Sequence, residues 1–339
     1  MRTVEWTRRD RALRFTALGQ GTAPLGNLYA PVSDAEADAA LEAAWAAGVR
    51  VFDTAPLYGL GLAETRLNRA LRGRPRDEYV LCTKAGRYLE PCAPEDRTGQ
   101  GFFLDTPDRR VVFDYTYTGI MRSVEHSLER LGASRLDVLH VHDLDTFNQR
   151  EAALLDARRE DFLLSGHRAF ESLRAQGVAT ATGAGINHAG EALWLLERCE
   201  LDLLLLASRY TLLEQDALDD LLPLCEARGV GVVIGGPFNS GILATGADQG
   251  ARYDYAAAPP AVVERVRAME RVCASHDVSL ATAALQFPLH HPAVVCVIPG
   301  GRSAAEVEAN AAAMDADIPA ALWADLKSEG LVRKDAPTP

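Results

Sequence analysis

The chain is short of positive charge. Against 47 acidic residues it carries 35 lysines and arginines, a formal net charge of −12. That balance argues against a general nucleic-acid or anionic-membrane surface, while leaving room for a local basic patch. Long hydrophobic runs are missing too. No window approaches the roughly 18 apolar residues of a membrane span, and the N-terminal stretch MRTVEWTRRDRALRF has no apolar core of a secretory signal. The six cysteines (Cys82, Cys92, Cys199, Cys225, Cys273 and Cys296) contain no CxxC pair, so they read as reduced, mostly buried thiols. A dinucleotide fingerprint of the GxGxxG kind is absent as well. GQGTAPLG, GLGLAE and GAGINHAG each lack or displace the third glycine, and the first of them reads as a turn. These absences point to a cytoplasmic protein with no nucleic-acid or membrane partner; oligomeric state is left open.

What the sequence does contain is a repeated grammar of strand, helix and glycine. Short, near-continuous apolar runs recur at Arg50–Ala55, Tyr79–Thr83, Leu136–His142, Ala179–Ile186, Leu201–Ala207, Gly229–Gly235 and Val294–Pro299, with a further strand expected near Thr16–Leu18. Apolar on both faces, they suit parallel strands covered on both sides. Helical patterns lie between them. Asp34–Ala47 starts behind Ser33, carries Glu36 at the capping-box position and stops at Gly48. Met121–Leu131, Phe170–Gln176 and Gln215–Arg228 stop at Gly132, Gly177 and Gly229, as helix ends requiring a left-handed residue do. Eight alternations without a break in composition predict an α/β fold, a single (β/α)8 TIM barrel over residues 1–339. Residues 1–14, including the arginine-rich RRDRALR, are expected as a solvated N-terminal arm, and 331–339 as a flexible tail. Three long connections, near Arg87–Gly119, Leu144–Gly166 and Phe238–Pro260, follow strands and would rise over the C-terminal face, where loops of that length are usually functional.

In such a barrel the chemistry sits where strands end. The second strand ends on Asp53, with Tyr58 just beyond; the third gives Lys84, the fourth His142 and the fifth Asn187. A buried carboxylate needs a cation, and Lys84 is the expected partner of Asp53. An ordinary tyrosine, with a pKa of about 10, is a poor base at neutral pH; a neighbouring ammonium would favour its phenolate. Tyr58 could then exchange a proton with a substrate oxygen that His142 polarises. Taken singly, Asp53 reads as a turn or capping residue, Tyr58 as packing and His142 as a satisfied core histidine; it is their joint order that carries the argument. His140 and His142 lack a third ligand, so no metal site is expected. A proton relay without a redox partner implies an organic cofactor.

The stretches FDTAPLYG, CTKAG and LDVLHVHD resemble the aldo-keto reductase superfamily, and the likeness runs from LGQGTAPLGNL to VIPGGRSAAEVEAN. Within it the resemblance is to bacterial sugar dehydrogenases of the D-threo-aldose (L-fucose) 1-dehydrogenase type, with a pyridoxal dehydrogenase as a near relative. The resemblance implies Tyr58 as acid/base, Asp53 and Lys84 as its tuning pair, and His142 as the group orienting the oxygen. It implies Asn187 at the nicotinamide carboxamide, Gly300, Gly301, Arg302 and Ser303 along the phosphates, and Asn310 at the adenine. The family's stacking aromatic falls near Gly235 and its usual strand-six glutamine near Ala207, so Phe238 is the candidate for stacking. Gly300 and Glu306 stand where NADP-preferring relatives often have bases, which points to NAD over NADP, although Arg302 could still pair with a phosphate.

The implied reaction is oxidation of the anomeric carbon of an aldose such as L-fucose to a lactone, with hydride passing to the nicotinamide. Tyr115, Tyr117, Asp143 and Asp145 are candidate sugar contacts, because aromatic faces pack on C–H edges and carboxylates accept hydroxyls. Two alternatives remain: an NADPH-dependent reductase of a small-molecule carbonyl substrate, and a non-enzymatic nicotinamide-binding redox sensor.

Overall fold

The computed structural model describes residues 1–98, 102–248 and 250–339. The first segment is not a free arm. Strands β1 (Thr3–Arg8) and β2 (Arg11–Thr16) form an antiparallel hairpin. Its alternation places Trp6 and Phe15 on one face, and both are buried among Val51, Val80, Leu203 and Cys296 at the N-terminal end of the barrel. The Trp6 indole donates to the Gly229 carbonyl at 3.2 Å. Arg8 and Arg11 do not face solvent either. Both donate to Oδ1 of Asp202, at 2.9 and 2.6 Å, while Arg174 reaches its Oδ2 at 3.3 Å. Asp202 is fully buried, so its desolvation is offset by three guanidinium groups rather than one.

The barrel strands are β3 (Gln20–Gly21), β4 (Val51–Asp53), β5 (Val80–Ala85), β8 (Leu136–His142), β9 (Ala179–Ile186), β10 (Leu203–Ala207), β11 (Gly231–Gly235) and β14 (Val294–Ile298). Two minor pairs, β6 (Arg87–Pro91) with β7 (Arg109–Phe113) and β12 (Arg252–Tyr253) with β13 (Ala256–Ala257), lie in the long connections. The eight barrel strands are parallel neighbours in the order β3-β4-β5-β8-β9-β10-β11-β14. Bridges Leu18–Val297 and Gly21–Gly300 join the two ends of that row and close it. The expected (β/α)8 barrel is the fold of the protein.

The α-helices of the described residues are α1 (Asp34–Ala46), α2 (Leu62–Leu71), α3 (Tyr117–Leu131), α4 (Ala152–Asp161), α5 (His167–Ala175), α6 (Ala189–Arg198), α7 (Leu221–Arg228), α8 (Ile242–Thr245), α9 (Pro260–Ser275), α10 (Leu280–Gln286), α11 (Ala304–Asp315) and α12 (Ala320–Ser328). Ser33 and Glu36 form the anticipated capping box on α1. Gly132 and Gly229 end α3 and α7 with φ of +59° and +64°, a conformation that side chains resist. The third long connection holds α8 and a strand pair, and the second holds α4 and a π-helical turn, so neither is structureless.

The C-terminal segment also departs from expectation. Leu331, Val332 and Ala336 are buried, and Arg333 donates to Oδ1 of Asp219 at 2.6 Å. Apolar contacts and this ion pair dock it beside α7 instead of leaving it loose. All six cysteines are free thiols, and only Cys92 is not buried. Among the described residues no helix is long and apolar enough to cross a membrane.

Candidate active site

Asp53, Lys84 and His142 close or nearly close their strands, so the closed barrel brings them to one end. Lys84 Nζ donates to Asp53 Oδ2 at 2.6 Å and to the Thr54 carbonyl at 2.8 Å. It lies 4.7 Å from the centroid of the Tyr58 ring. The His142 ring stands edge-on to Tyr58, with centroids 6.0 Å apart. Tyr58, Lys84 and His142 line one cavity of about 150 Å³ together with Asp143, Asn148, Asn187, Ala207 and an apolar wall.

The electrostatics are less simple than a lysine lowering a tyrosine. Burial lifts the Tyr58 phenol above its ordinary value; Lys84 pulls it down, and Asp53 and Asp143 push it up again. The sequence-based expectation of an acidified phenol is therefore corrected: desolvation outweighs the ammonium. For Lys84, burial works against the charged form, yet Asp53 and Tyr58 hold its pKa above the usual lysine value. Burial raises Asp53 despite Lys84. His142 is neutral at physiological pH, because burial and the nearby Arg87 and Lys84 push its pKa well down. Burial drives His140, one layer below, to about 3.

Asp143 is the carboxylate of the cavity wall. It follows β8 in the left-handed conformation, φ +50°, which Asp tolerates better than most residues. One oxygen, Oδ2, bonds the guanidinium of Arg87 and lies 3.2 Å from His142 Nε2. The other, Oδ1, accepts from Asn187 Nδ2 at 3.0 Å. Burial carries its pKa up to about 6 against the pull of Arg87. With a carboxylate beside Nε2, the proton of neutral His142 resides on that nitrogen. Arg87 is 3 % exposed, and sequence reasoning missed it. The available signal was an arginine three residues past a strand-end lysine, where an interior charge demands a partner.

The other sugar-contact candidates are placed elsewhere. Tyr115 is fully buried, donates its hydroxyl to the His142 carbonyl at 2.7 Å, and does not line the cavity. Its position is structural: a Cβ on Gly86 would lie 2.3 Å from the Tyr115 ring. Tyr117 opens α3 on the outer ring, with Arg168 over its face. Asp145 is fully buried and bonds Asn187 and Asn148. The apolar wall comes instead from loop aromatics the sequence did not single out. Phe102 and Phe147 pack against Tyr255, centroids 6.1 and 5.5 Å apart, and Phe103 against Tyr58. Loop aromatics carry no periodic signal, and only the folded connections gather them.

Of the positions expected to hold a dinucleotide, Asn187 lines the cavity and Phe238 does not; Phe238 is half-buried against the core. Gly300 and Gly301 follow β14 where the closing strand passes. A Cβ at Gly300 would meet the Pro24 ring at 2.7 Å, and one at Gly301 would meet Val307 at 2.7 Å, so both positions require the bare backbone. Ser303 caps α11 by accepting from the Glu306 amide at 3.2 Å. Glu306 accepts from the Arg302 amide and lies 3.5 Å from its guanidinium. Asn310 is half-buried on the same helix. A glycine-lined strand end leading into a helix N-terminus suits a phosphate-bearing ligand, and Asn187 at the cavity suits its amide end.

The sequence model of the Aldo/keto reductase family matches residues 17–329. The chain is 42% identical over 335 residues to pyridoxal 4-dehydrogenase of Microbacterium luteolum, covering 94% of this chain and 95% of that one. It is 42% identical over 333 residues to D-threo-aldose 1-dehydrogenase of a Pseudomonas species, covering 96% of each. Among solved structures, the holo form of an aldo-keto reductase from Bacillus halodurans superposes with a TM-score of 0.74 at 23% identity, covering 98% and 97% of the two chains. The chain belongs to the aldo/keto reductase family and is an oxidoreductase.

Proposed function

We propose that this aldo/keto reductase oxidises the anomeric carbon of an aldose, of the L-fucose or D-threo-aldose type, to the lactone. The observation that carries the reading is a buried lysine, clamped by Asp53 beside Tyr58, on the same cavity wall as His142. Tyr58 Oη, as the phenolate that the Lys84 ammonium stabilises, takes the proton of the anomeric hydroxyl and becomes the phenol as hydride leaves the anomeric carbon. His142 Nε2 and Asp143 Oδ2, 3.2 Å apart, offer a donor and an acceptor to the hydroxyls at that end of the ring. The apolar wall of Phe102, Phe103, Phe147 and Tyr255 suits the C–H faces of a pyranose. When bound, nicotinamide dinucleotide supplies the hydride acceptor; Asn187 would hold its carboxamide and the Gly300–Ser303 segment its phosphates. The pairing of Arg302 with Glu306 favours NAD, since a 2′-phosphate would meet a carboxylate and a guanidinium already engaged.

Similarity to both a sugar and a pyridoxal dehydrogenase supports the broader class of cyclic hemiacetals. A spectrophotometric screen tests the reading. Aldoses and pyridoxal with NAD at alkaline pH are set against aldehydes and ketones with NADPH at neutral pH. Turnover of aldoses with NAD is expected; activity confined to carbonyl reduction with NADPH would overturn it.

A further inference from the structure

Asn187 is unusually constrained. Its amide N–H donates to Asp145 Oδ2 at 2.8 Å, and its carbonyl accepts from Arg209 Nε at 2.7 Å. Its side-chain Nδ2 donates to Asp143 Oδ1 and to Asp145 Oδ2, both at 3.0 Å. An amide nitrogen has two protons, and here both are committed. The reverse orientation would turn the amide oxygen towards two carboxylates, acceptor against acceptor. The network therefore leaves one orientation, with Oδ1 as the group that has no donor among the described residues. Asn187 lines the cavity and is 8 % exposed.

Asp145 is the member of this network that the proposed reaction leaves without a role. It is fully buried. Its Oδ1 accepts from Asn148 N and Nδ2 at 3.0 and 3.1 Å, while its Oδ2 takes the two bonds from Asn187. Four N–H groups thus converge on one carboxylate, and both oxygens act as acceptors. Burying a carboxylate costs free energy that a neutral residue would not incur. What the carboxylate adds over an amide is that neither of its ends can donate.

We infer that Asp145, with Asp143, is a positioning residue that fixes the Asn187 amide so that the cavity presents an acceptor, Oδ1, to an N–H of the ligand. The ligand group selected is a neutral primary carboxamide, and a carboxylate in the same place is rejected. This deepens the proposed function and rests on its reading that a nicotinamide dinucleotide is bound with its amide at Asn187. An Asp145→Asn change would put an NH2 where an acceptor stood. Asn187 would then be drawn to turn its oxygen inward and its Nδ2 to the cavity, relaxing the selection.

The test is equilibrium binding to the full chain, without substrate, by fluorescence titration. The probes are NAD, nicotinic acid adenine dinucleotide and ADP-ribose. For the wild type, NAD is expected to bind at least about 100-fold more tightly than the nicotinic acid analogue, the scale on which sites built for a specific hydrogen bond reject a mismatched group. Asp145→Asn is expected to shrink that ratio at least about tenfold while leaving ADP-ribose affinity unchanged, a pattern that general loosening of the fold would not produce. Asp143→Asn, read by the same ratio, serves if Asp145→Asn does not fold, and should shrink it too. A wild type that binds both dinucleotides equally overturns the inference, as does a ratio unchanged in the variants. A wild type that binds ADP-ribose but gains nothing from the nicotinamide ring also removes it. Failure to bind any of the three overturns the dinucleotide reading itself, and this inference with it.

Discussion

The ammonium of Lys84 stands 4.7 Å from the centre of the Tyr58 ring, and the phenol is nevertheless harder to ionise than a tyrosine in water. Its burial is the reason, and the consequence is directional. Reduction needs the phenol protonated, which it is at neutral pH; oxidation needs its base form. The rate of oxidation is expected to climb as pH rises from 7 towards 10, with reduction flat or falling over the same range. Initial rates in both directions across that window check this, and an oxidation rate independent of pH would contradict it.

Tyr58→Phe removes the proposed proton acceptor and keeps the ring that packs on Phe103 and His142. Turnover is expected to fall by about 10²–10⁴-fold, with dinucleotide affinity and thermal stability close to wild type. Steady-state kinetics and a binding titration on one preparation separate the two effects.

Lys84→Met takes away the charge that opposes burial at Tyr58. The alkaline rise in oxidation is expected to move to higher pH, with kcat/KM at pH 8 down by about 100-fold. Asp53, already inclined to protonate, would neutralise in the absence of its cation. The variant is therefore expected to fold, as circular dichroism would verify.

Asp143 has its pKa raised to about 6, whereas His142 stays neutral far below that. As pH falls through about 6, Asp143 gains a proton and ceases to be an acceptor for His142. An acid limb in kcat/KM near pH 6 is expected, and it should vanish in Asp143→Asn. If the limb survives that substitution, it belongs to another group.

Glu306→Lys replaces the carboxylate beside Arg302 with a second cation. The ratio of kcat/KM for NADP to that for NAD is expected to rise by at least about tenfold, the equivalent of one charge-assisted contact. An unchanged ratio would place the 2′ position of the adenosine elsewhere.

Much of this architecture was legible in the chain. The runs at Leu136–His142 and Ala179–Ile186 are strands to the residue, and Gly132 and Gly229 end the helices they follow. Strand ends alone placed Asp53, Lys84, His142 and Asn187 near one rim, because a parallel barrel aligns the ends of its strands. What escaped depends on partners far away in sequence. Trp6 and Phe15 belong to a period-two pattern, a signal that the surrounding arginines obscured. Those arginines look solvated until Asp202 is seen between them. Tyr115 looked like a loop aromatic open to a sugar, and only the folded chain shows it pinned beneath the His142 carbonyl. The phenol's raised pKa was equally hidden, since composition reports a neighbouring charge but not the depth of burial.

Asp202 has a further consequence, for the order in which the molecule can be completed. Its bonds to Arg8 and Arg11 span 194 and 191 residues of chain. The arginines of the hairpin therefore have no buried partner until the chain has been made as far as the sixth barrel strand. Trp6 and Phe15 likewise pack with residues as distant as Leu203 and Cys296, so the hairpin keeps apolar surface uncovered while most of the barrel is still being synthesised.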